Sequence, residues 1–434
     1  MTQERFDTIQ VHGGYDPGDN ADSVSPAIYP TAAFWLENSQ RGHAIANGQQ
    51  PGYLYSRVAN PTTAFLERRL AALDGAAEAV AVASGMAAIT AALLNVAEGG
   101  GRIIAPIDIY GGTYDSLRTL LPQFGVVTSF VEDINDVDRL EGLLGDDVKA
   151  IYAESVSNPT TKITDVDALA KLAHRHGIPL IIDNTLPTPY LFRPLEHGAD
   201  IVVYSTTKAI SGHGNVIGGA VTTGTSFDWG NGRYPQFTNP EYVLGEVIGN
   251  PPRGFVEAFG PLAFIRRVRV KYLRLTGPVL GTFDSYLQLV GLETLGERLG
   301  KETDSALEVA RHLKGHAHIT RVNYSGLPDD AQHALVERDF PRGVGSVLSF
   351  DLEGGAEQAR DFIDNLHLFT YLANIGDVRS LVADPINTTH REFTPEDRVI
   401  AGIRPTTIRL SIGLENPRDI IADIDQAIDA AYRG

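Results

Sequence analysis

Lysine is scarce in this 434-residue chain. There are seven (Lys149, Lys162, Lys171, Lys208, Lys271, Lys301 and Lys314), and the other 29 of the 36 basic residues are arginine. Lys208 lies in the stretch YSTTKAISGHGNVIGG (204–219), with Ser205 and Thr207 just before it and glycines after it. An amine in that setting can condense with an aldehyde, and two neighbouring hydroxyls can bind phosphate oxygens. Asp183 closes the apolar run IPLIID, 25 residues upstream of the lysine. A carboxylate there needs a partner, because an isolated buried charge is costly. Further upstream, VASGMAAIT reads as strand, then Ser84-Gly85, then helix. Ser84 suits the N-cap, the helix start offers free N–H groups and a positive dipole end, and Gly85 lets an anion come close. Taken singly, each residue has an ordinary explanation: a loop aspartate, a capping serine, a surface lysine. Together they suit one cofactor, pyridoxal 5'-phosphate. The acid keeps the pyridine nitrogen protonated, so the ring becomes an electron sink, and the lysine holds the aldehyde as a Schiff base.

These residues need a scaffold. Seven short apolar runs read as strands: AVAVAS (79–84), RIIAP (102–106), VVTSFV (126–131), KAIYAES (149–155), IPLIIDN (178–184), DIVVYS (200–205) and IGGAVT (217–222). Most are apolar on both faces and alternate with helical stretches, which predicts an α/β fold with a mostly parallel central sheet. In such sheets ligands bind beyond the strand C-terminal ends, where Ser84, Asp183 and the loop after Tyr204 fall. Residues 1–60, rich in Gly, Pro, Asn and Ser, read as an extended N-terminal arm that packs on a neighbour. Residues 61–265 read as the large, cofactor-binding domain and 266–434 as a C-terminal α+β domain. In the latter, Leu292, Leu295, Leu299, Ala306, Ala310 and Leu313 repeat at helical spacing with one gap at Thr303, and GSVLSFDL and TIRLSIGLE read as strands. Residues 225–258 read as a long irregular loop or insertion.

Composition narrows the function. A net charge of -18 without a basic patch argues against nucleic acid and anionic membranes as partners. The absence of cysteine excludes disulfides, thiolate metal sites and a cysteine nucleophile. No apolar run approaches the ~20 residues of a membrane span, and the first residues lack a signal-peptide core, so a cytoplasmic enzyme is expected. His312, His316 and His318 in HLKGHAH come without a carboxylate cluster and read as a helix terminus, so no metal is expected. The glycines of SGHGNVIGG do not match a dinucleotide-binding fingerprint.

Seven segments in order extend the pattern over nearly the whole chain: YSRVANPT (55–62), SGMAA (84–88), IYGGTY (109–114), ESVSNPT (154–160), IIDNTLPTPY (181–190), YSTTKAISGHG (204–214) and IRLSIGLEN (408–416). This series resembles the cysteine/methionine-metabolism family of fold-type I pyridoxal-phosphate enzymes. The resemblance implies roles. Lys208 would be the Schiff-base lysine and proton shuttle, Asp183 the partner of the pyridine nitrogen, and Tyr110 the aromatic stacked on the ring. Gly85 and Met86, through backbone N–H groups, would bind phosphate together with Ser205 and Thr207. Tyr55 and Arg57 would reach the phosphate of a neighbouring subunit, which implies an active site shared across a homodimer within a homotetramer. Asn158 and Arg409 would clamp the substrate carboxylate; an arginine offers a planar fork for it.

Within the family the chain is most similar to the O-acetylhomoserine sulfhydrylase branch. The length of the 225–258 segment, the stretch EAFGPLAFIRRVRVKYLRLTGPVL after it, and LANIGDVRSLVADPINTTH (372–390) carry that similarity. In the last of these, Asn374 stands where lyases and cystathionine synthases more often have serine, which adds it to the substrate pocket. Gly112 stands where methionine γ-lyases typically have cysteine. Ile386, Asn387, Leu186 and Pro187 depart from the branch, and ESVSNPTTKITD looks more like the synthase and lyase version. The implied activity is γ-replacement on an O-acylated homoserine, O-acetyl-L-homoserine above all, by sulfide or a thiol, giving homocysteine or a thioether amino acid. Cystathionine γ-synthase and methionine or cystathionine γ-lyase are the alternatives.

Overall fold

The computed structural model describes residues 4–241 and 252–433. The seven expected strands form one sheet: β1 (Glu78–Val82), β2 (Gly101–Pro106), β3 (Val126–Val131), β4 (Val148–Glu154), β5 (Leu180–Asp183), β6 (Ile201–Tyr204) and β7 (Gly219–Thr223). Their order is β1-β7-β6-β5-β4-β2-β3. Only β7 runs against its neighbours; the other pairings are parallel. Both faces are covered, as the strand compositions imply. Ala79 and Ala81 of β1 pack into one core while Val80 and Val82 pack into the other, and Ile151 and Ala153 of β4 alternate in the same way with Ala150 and Tyr152.

A second sheet contains β8 (Ile319–Asn323), β9 (Val347–Leu352), β10 (Thr370–Tyr371), β11 (Leu381–Ala383) and β12 (Thr407–Ser411), in the order β10-β11-β12-β9-β8. The two segments read as C-terminal strands are β9 and β12, paired antiparallel at its centre. The helical repeat around Leu292–Leu313 is split into two helices, Thr282–Leu292 and Leu295–Lys314. The break falls at Glu293-Thr294. Thr303 does not interrupt the second helix, because its buried hydroxyl bonds back to the Leu299 carbonyl at 2.6 Å.

Two local readings differ from the structure. The arm is not extended throughout: Phe6–His12 and Ser39–Ala46 are helical. The first helix docks on the body of its own chain. Phe6 is buried edge-on to Tyr190, and the Gln10 amide donates to Glu297 (2.9 Å) and accepts from the Gly296 N–H (3.0 Å). A seven-residue helix shows too little periodicity to read alone; its docking face stabilises it. The 225–258 segment is also less loop-like than its composition suggests. Phe227, Trp229, Tyr234, Phe237 and Phe255 are buried, and Trp229 stacks on Phe264 with ring centroids 5.1 Å apart. Irregularly spaced aromatics carry no period, yet they bury large areas. Residues 242–251 of that segment lie outside the described residues.

The strand leading into the lysine loop is anchored by a buried polar contact. The Tyr204 hydroxyl donates to Asp74 Oδ1 at 2.6 Å and accepts from the Asn184 amide at 3.2 Å. Asp74 also accepts from the Thr222 hydroxyl of β7. Replacing Tyr204 with Phe leaves a buried carboxylate oxygen without its donor. Urea unfolding of Tyr204→Phe is expected to show a loss of about 1–3 kcal/mol.

Candidate active site

The C-terminal ends of the parallel strands face a cavity of about 380 Å³ between the two sheets. Of the residues singled out in the sequence, Ser84, Gly85, Met86, Tyr110, Asn158, Asp183, Ser205, Thr207, Lys208, Asn374 and Arg409 all line it. Tyr55 and Arg57 do not. They sit together on the exposed arm, with the Arg57 guanidinium 5.3 Å from the centre of the Tyr55 ring and bonded to the Arg274 carbonyl.

The corner expected to take an anion is built by local geometry. Ser84 caps the helix Gly85–Val96 by accepting from the Ala87 N–H at 3.1 Å. This helix start abuts the lysine loop so closely that a Cβ on Gly85 would stand 2.7 Å from the Ser205 Cβ. It abuts β7 as closely, since a Cβ on Gly219 would stand 2.2 Å from the Ser84 carbonyl oxygen. Glycine is required at both contacts. Thr207 is held by reciprocal bonds with Gly218, donating to its carbonyl (3.1 Å) and accepting from its N–H (3.0 Å).

Lys208 reaches into the cavity and donates to Asn374 Oδ1 at 2.6 Å. Burial, reinforced by the nearby Arg409 guanidinium, lowers its pKa to about 8. Arg409, on β12, is itself buried; burial lowers its pKa to about 10, so it stays a cation at neutral pH. It donates to Asn158 Oδ1 (3.2 Å) and to the Asn374 carbonyl (3.0 Å). Asn374 is therefore bonded to both cations.

Asp183 ends β5 and accepts from the Tyr152 hydroxyl (3.3 Å) and the Thr185 N–H (3.0 Å). Burial raises its pKa against these two donors. Tyr110 opens a short helix at the end of the β2 connection, and its N–H donates to Glu154 Oε1 at 2.6 Å. Burial, then the charges of Glu392 and Glu154, raise its phenol pKa.

Several cavity or supporting residues were not singled out from the sequence: Glu154, Tyr152, Thr185, His390 and Glu392. Glu154 could have been found, because it closes an apolar strand just as Asp183 does. His390 bonds through Nε2 to the Asn158 carbonyl at 3.0 Å, and burial followed by Arg409 lowers its pKa to about 3, so it is neutral. No local pattern marks it. In HLKGHAH, His312 pairs with Asp425 (2.6 Å), while His318 pairs with Glu353 (3.2 Å) and stacks on Tyr432.

The residues present fit pyridoxal phosphate. A buried amine of lowered pKa, a buried acid, a capped helix start tight against Ser205, and the Thr207 side chain converge on one cavity. The comparisons agree. The family model described as Cys/Met metabolism PLP-dependent enzyme matches residues 7–429. An O-acetyl-L-homoserine sulfhydrylase of Leptospira meyeri is 41% identical over 430 residues, covering 97% of this chain and 96% of that protein. A homocysteine synthase of Schizosaccharomyces pombe is 38% identical over 434 residues, covering 99% and 100%. The crystal structure of an O-acetylhomoserine (thiol)-lyase from Campylobacter jejuni, solved with N'-pyridoxyl-lysine-5'-monophosphate, superposes with a TM-score of 0.93 at 38% identity, covering 98% of this chain and 100% of that one. The chain belongs to the Cys/Met-metabolism PLP-dependent enzymes.

Only the free amine of Lys208 can attack an aldehyde, so reaction with the cofactor requires its deprotonated form. The rate at which the cofactor-free protein develops a visible absorbance band with added pyridoxal phosphate is expected to rise as pH passes through about 8 and to level off above it. A flat rate from pH 6 to 10 would contradict the buried-amine assignment.

Proposed function

We propose that the enzyme replaces the γ-acetoxy group of O-acetyl-L-homoserine with sulfide, giving homocysteine. The observation that carries this reading is the pairing of the Lys208 amine with the Arg409 guanidinium around Asn374, in a chain aligned end to end with O-acetylhomoserine sulfhydrylases. Bound pyridoxal phosphate supplies an aldehyde for the substrate amino group and a ring that takes up electrons when a C–H bond breaks.

The chain supplies the rest. Arg409, with Asn158 beside it, presents a guanidinium to the substrate carboxylate, which fixes the α-carbon within reach of Lys208. With its pKa lowered to about 8, the Lys208 amine can take a proton at the α-carbon near neutral pH and return it later. Asp183 would hold the pyridine nitrogen, and Tyr110 would lie against the ring. The N–H groups of Gly85 and Met86 and the hydroxyls of Ser205 and Thr207 would hold the phosphate. Asn374 restrains Lys208 and Arg409 relative to each other as well as facing the substrate.

Purified enzyme given O-acetyl-L-homoserine should form homocysteine only when sulfide is present. Cysteine and methanethiol as alternative nucleophiles define the range. Keto acid and ammonia without added thiol would indicate the γ-lyase reaction instead. Lys208→Ala should lose turnover by several orders of magnitude while retaining its fold by circular dichroism.

The reading includes a shared site. Tyr55 and Arg57 lie outside the cavity of their own chain, and the arm that carries them presents Val24 and Trp35 at 88% and 82% exposure, as a surface covered by a second copy would. A homodimer with these residues completing the partner's phosphate site, assembled into a homotetramer, accounts for this. Arg57→Ala and Lys208→Ala, each inactive alone, should regain activity when co-expressed, because a hybrid dimer holds one intact site. No recovery would overturn the shared-site arrangement.

A further inference from the structure

We propose that Glu154 is the positioning residue that holds the ring-facing and carboxylate-facing walls of the catalytic cavity in register. This rests on the reading of the cavity given above. Glu154 is the last residue of β4 and lies directly opposite Asp183 on β5. It is buried, and its two carboxylate oxygens are split between two loops. Oε1 accepts from the N–H of Tyr110, after β2, at 2.6 Å, and Oε2 accepts from the N–H of Asn158, after β4, at 3.3 Å. One side chain thus sets the backbone from which both Tyr110 and Asn158 project.

The residue type suits this task. Two converging N–H donors need two acceptors, and a carboxylate offers both, whereas an amide would turn a donor toward one of them. A conventional charge role is not filled. Glu154 forms no ion pair among the described residues, and the nearest lysine in the recess behind it, Lys162, is taken by Asp108 at 3.1 Å. Glu154 lines both that recess and the catalytic cavity, so it is the partition between them. Burial and the neighbouring Asp183 raise its pKa, and the amide N–H groups of Tyr110 and Asn158 act against that rise by favouring the carboxylate. An acid kept at such a cost without a cation is explained by the two amides it holds.

The test separates positioning from stability and from the proposed reaction. Norvaline has the substrate's carboxylate and amine but no γ leaving group, so its binding, read from the visible band of the holoenzyme, does not depend on γ-replacement. Glu154→Gln, which keeps one acceptor, should weaken norvaline binding about ten-fold and raise KM for O-acetylhomoserine more than it lowers kcat. It should also change the visible circular dichroism of the cofactor band as Tyr110 shifts. Glu154→Ala should show larger changes of the same kind. Unchanged norvaline affinity and visible dichroism, even with a lowered melting temperature, would assign Glu154 to stability alone and overturn the proposal. Hydrogen exchange on the wild-type holoenzyme needs no variant: the Tyr110 and Asn158 amides should be protected, and fast exchange at both would overturn it. A wild type that binds norvaline but forms no homocysteine would count against the proposed reaction and leave the Glu154 result standing.

Discussion

Two cations buried in one cavity set the terms for the rest of the structure. Lys208 and Arg409 share a space of about 380 Å³, and neither forms an ion pair with a carboxylate among the described residues. Burying charge without a partner is costly, and two like charges make it more so. The contacts that hold them are neutral: the side-chain amides of Asn374 and Asn158 and the Asn374 carbonyl. Neutral partners orient the cations without cancelling them. The amine gives up its proton near pH 8, far more readily than an ordinary lysine, and the guanidinium remains free to receive an anion.

The fold must therefore bring the two groups together rigidly and from different directions. Lys208 comes from the loop after β6 of the seven-stranded sheet and Arg409 from the middle of β12 in the other sheet. Arg409 stands on a strand buried along its whole length, and the loop that carries Lys208 is held in the core by the buried Thr206, Ala209 and Ile210. The acids are placed by the same device. Parallel strands of equal register end together, which puts Glu154 and Asp183 side by side at one rim. The capped helix Gly85–Val96 completes the enclosure, and the absence of side chains on Gly85 and Gly219 allows it to lie so close.

Much of this was legible in the residue order. The seven strands of the large sheet could be read because short runs apolar on both faces, punctuated by polar turns, have few other uses. Lys208, Asp183 and Ser84-Gly85 could be read because each ends a strand or starts a helix, where local pattern and chemistry coincide. What was missed lacks local period. The helix Phe6–His12 exists because Phe6 and Gln10 dock on Tyr190 and Glu297, and the aromatic cluster around Trp229 is assembled from unevenly spaced residues. His390 is set against Asn158 across 232 residues of chain, a relation no spacing rule reports.

The sequence by itself determined the chemical inventory: a rare lysine among hydroxyls, an acid at a strand end, a helix start open to an anion, and arginines suited to carboxylates. Those follow from residue type and near-neighbour order. Tertiary structure alone decided which of them meet and in what state of charge. The Lys208–Asn374 contact spans 166 positions and the Arg409–Asn158 contact 251. The lowered lysine pKa arises from burial and from a guanidinium on another sheet. Burial and electrostatic proximity are properties of the packed chain, and they are what turn an ordinary lysine into a usable amine.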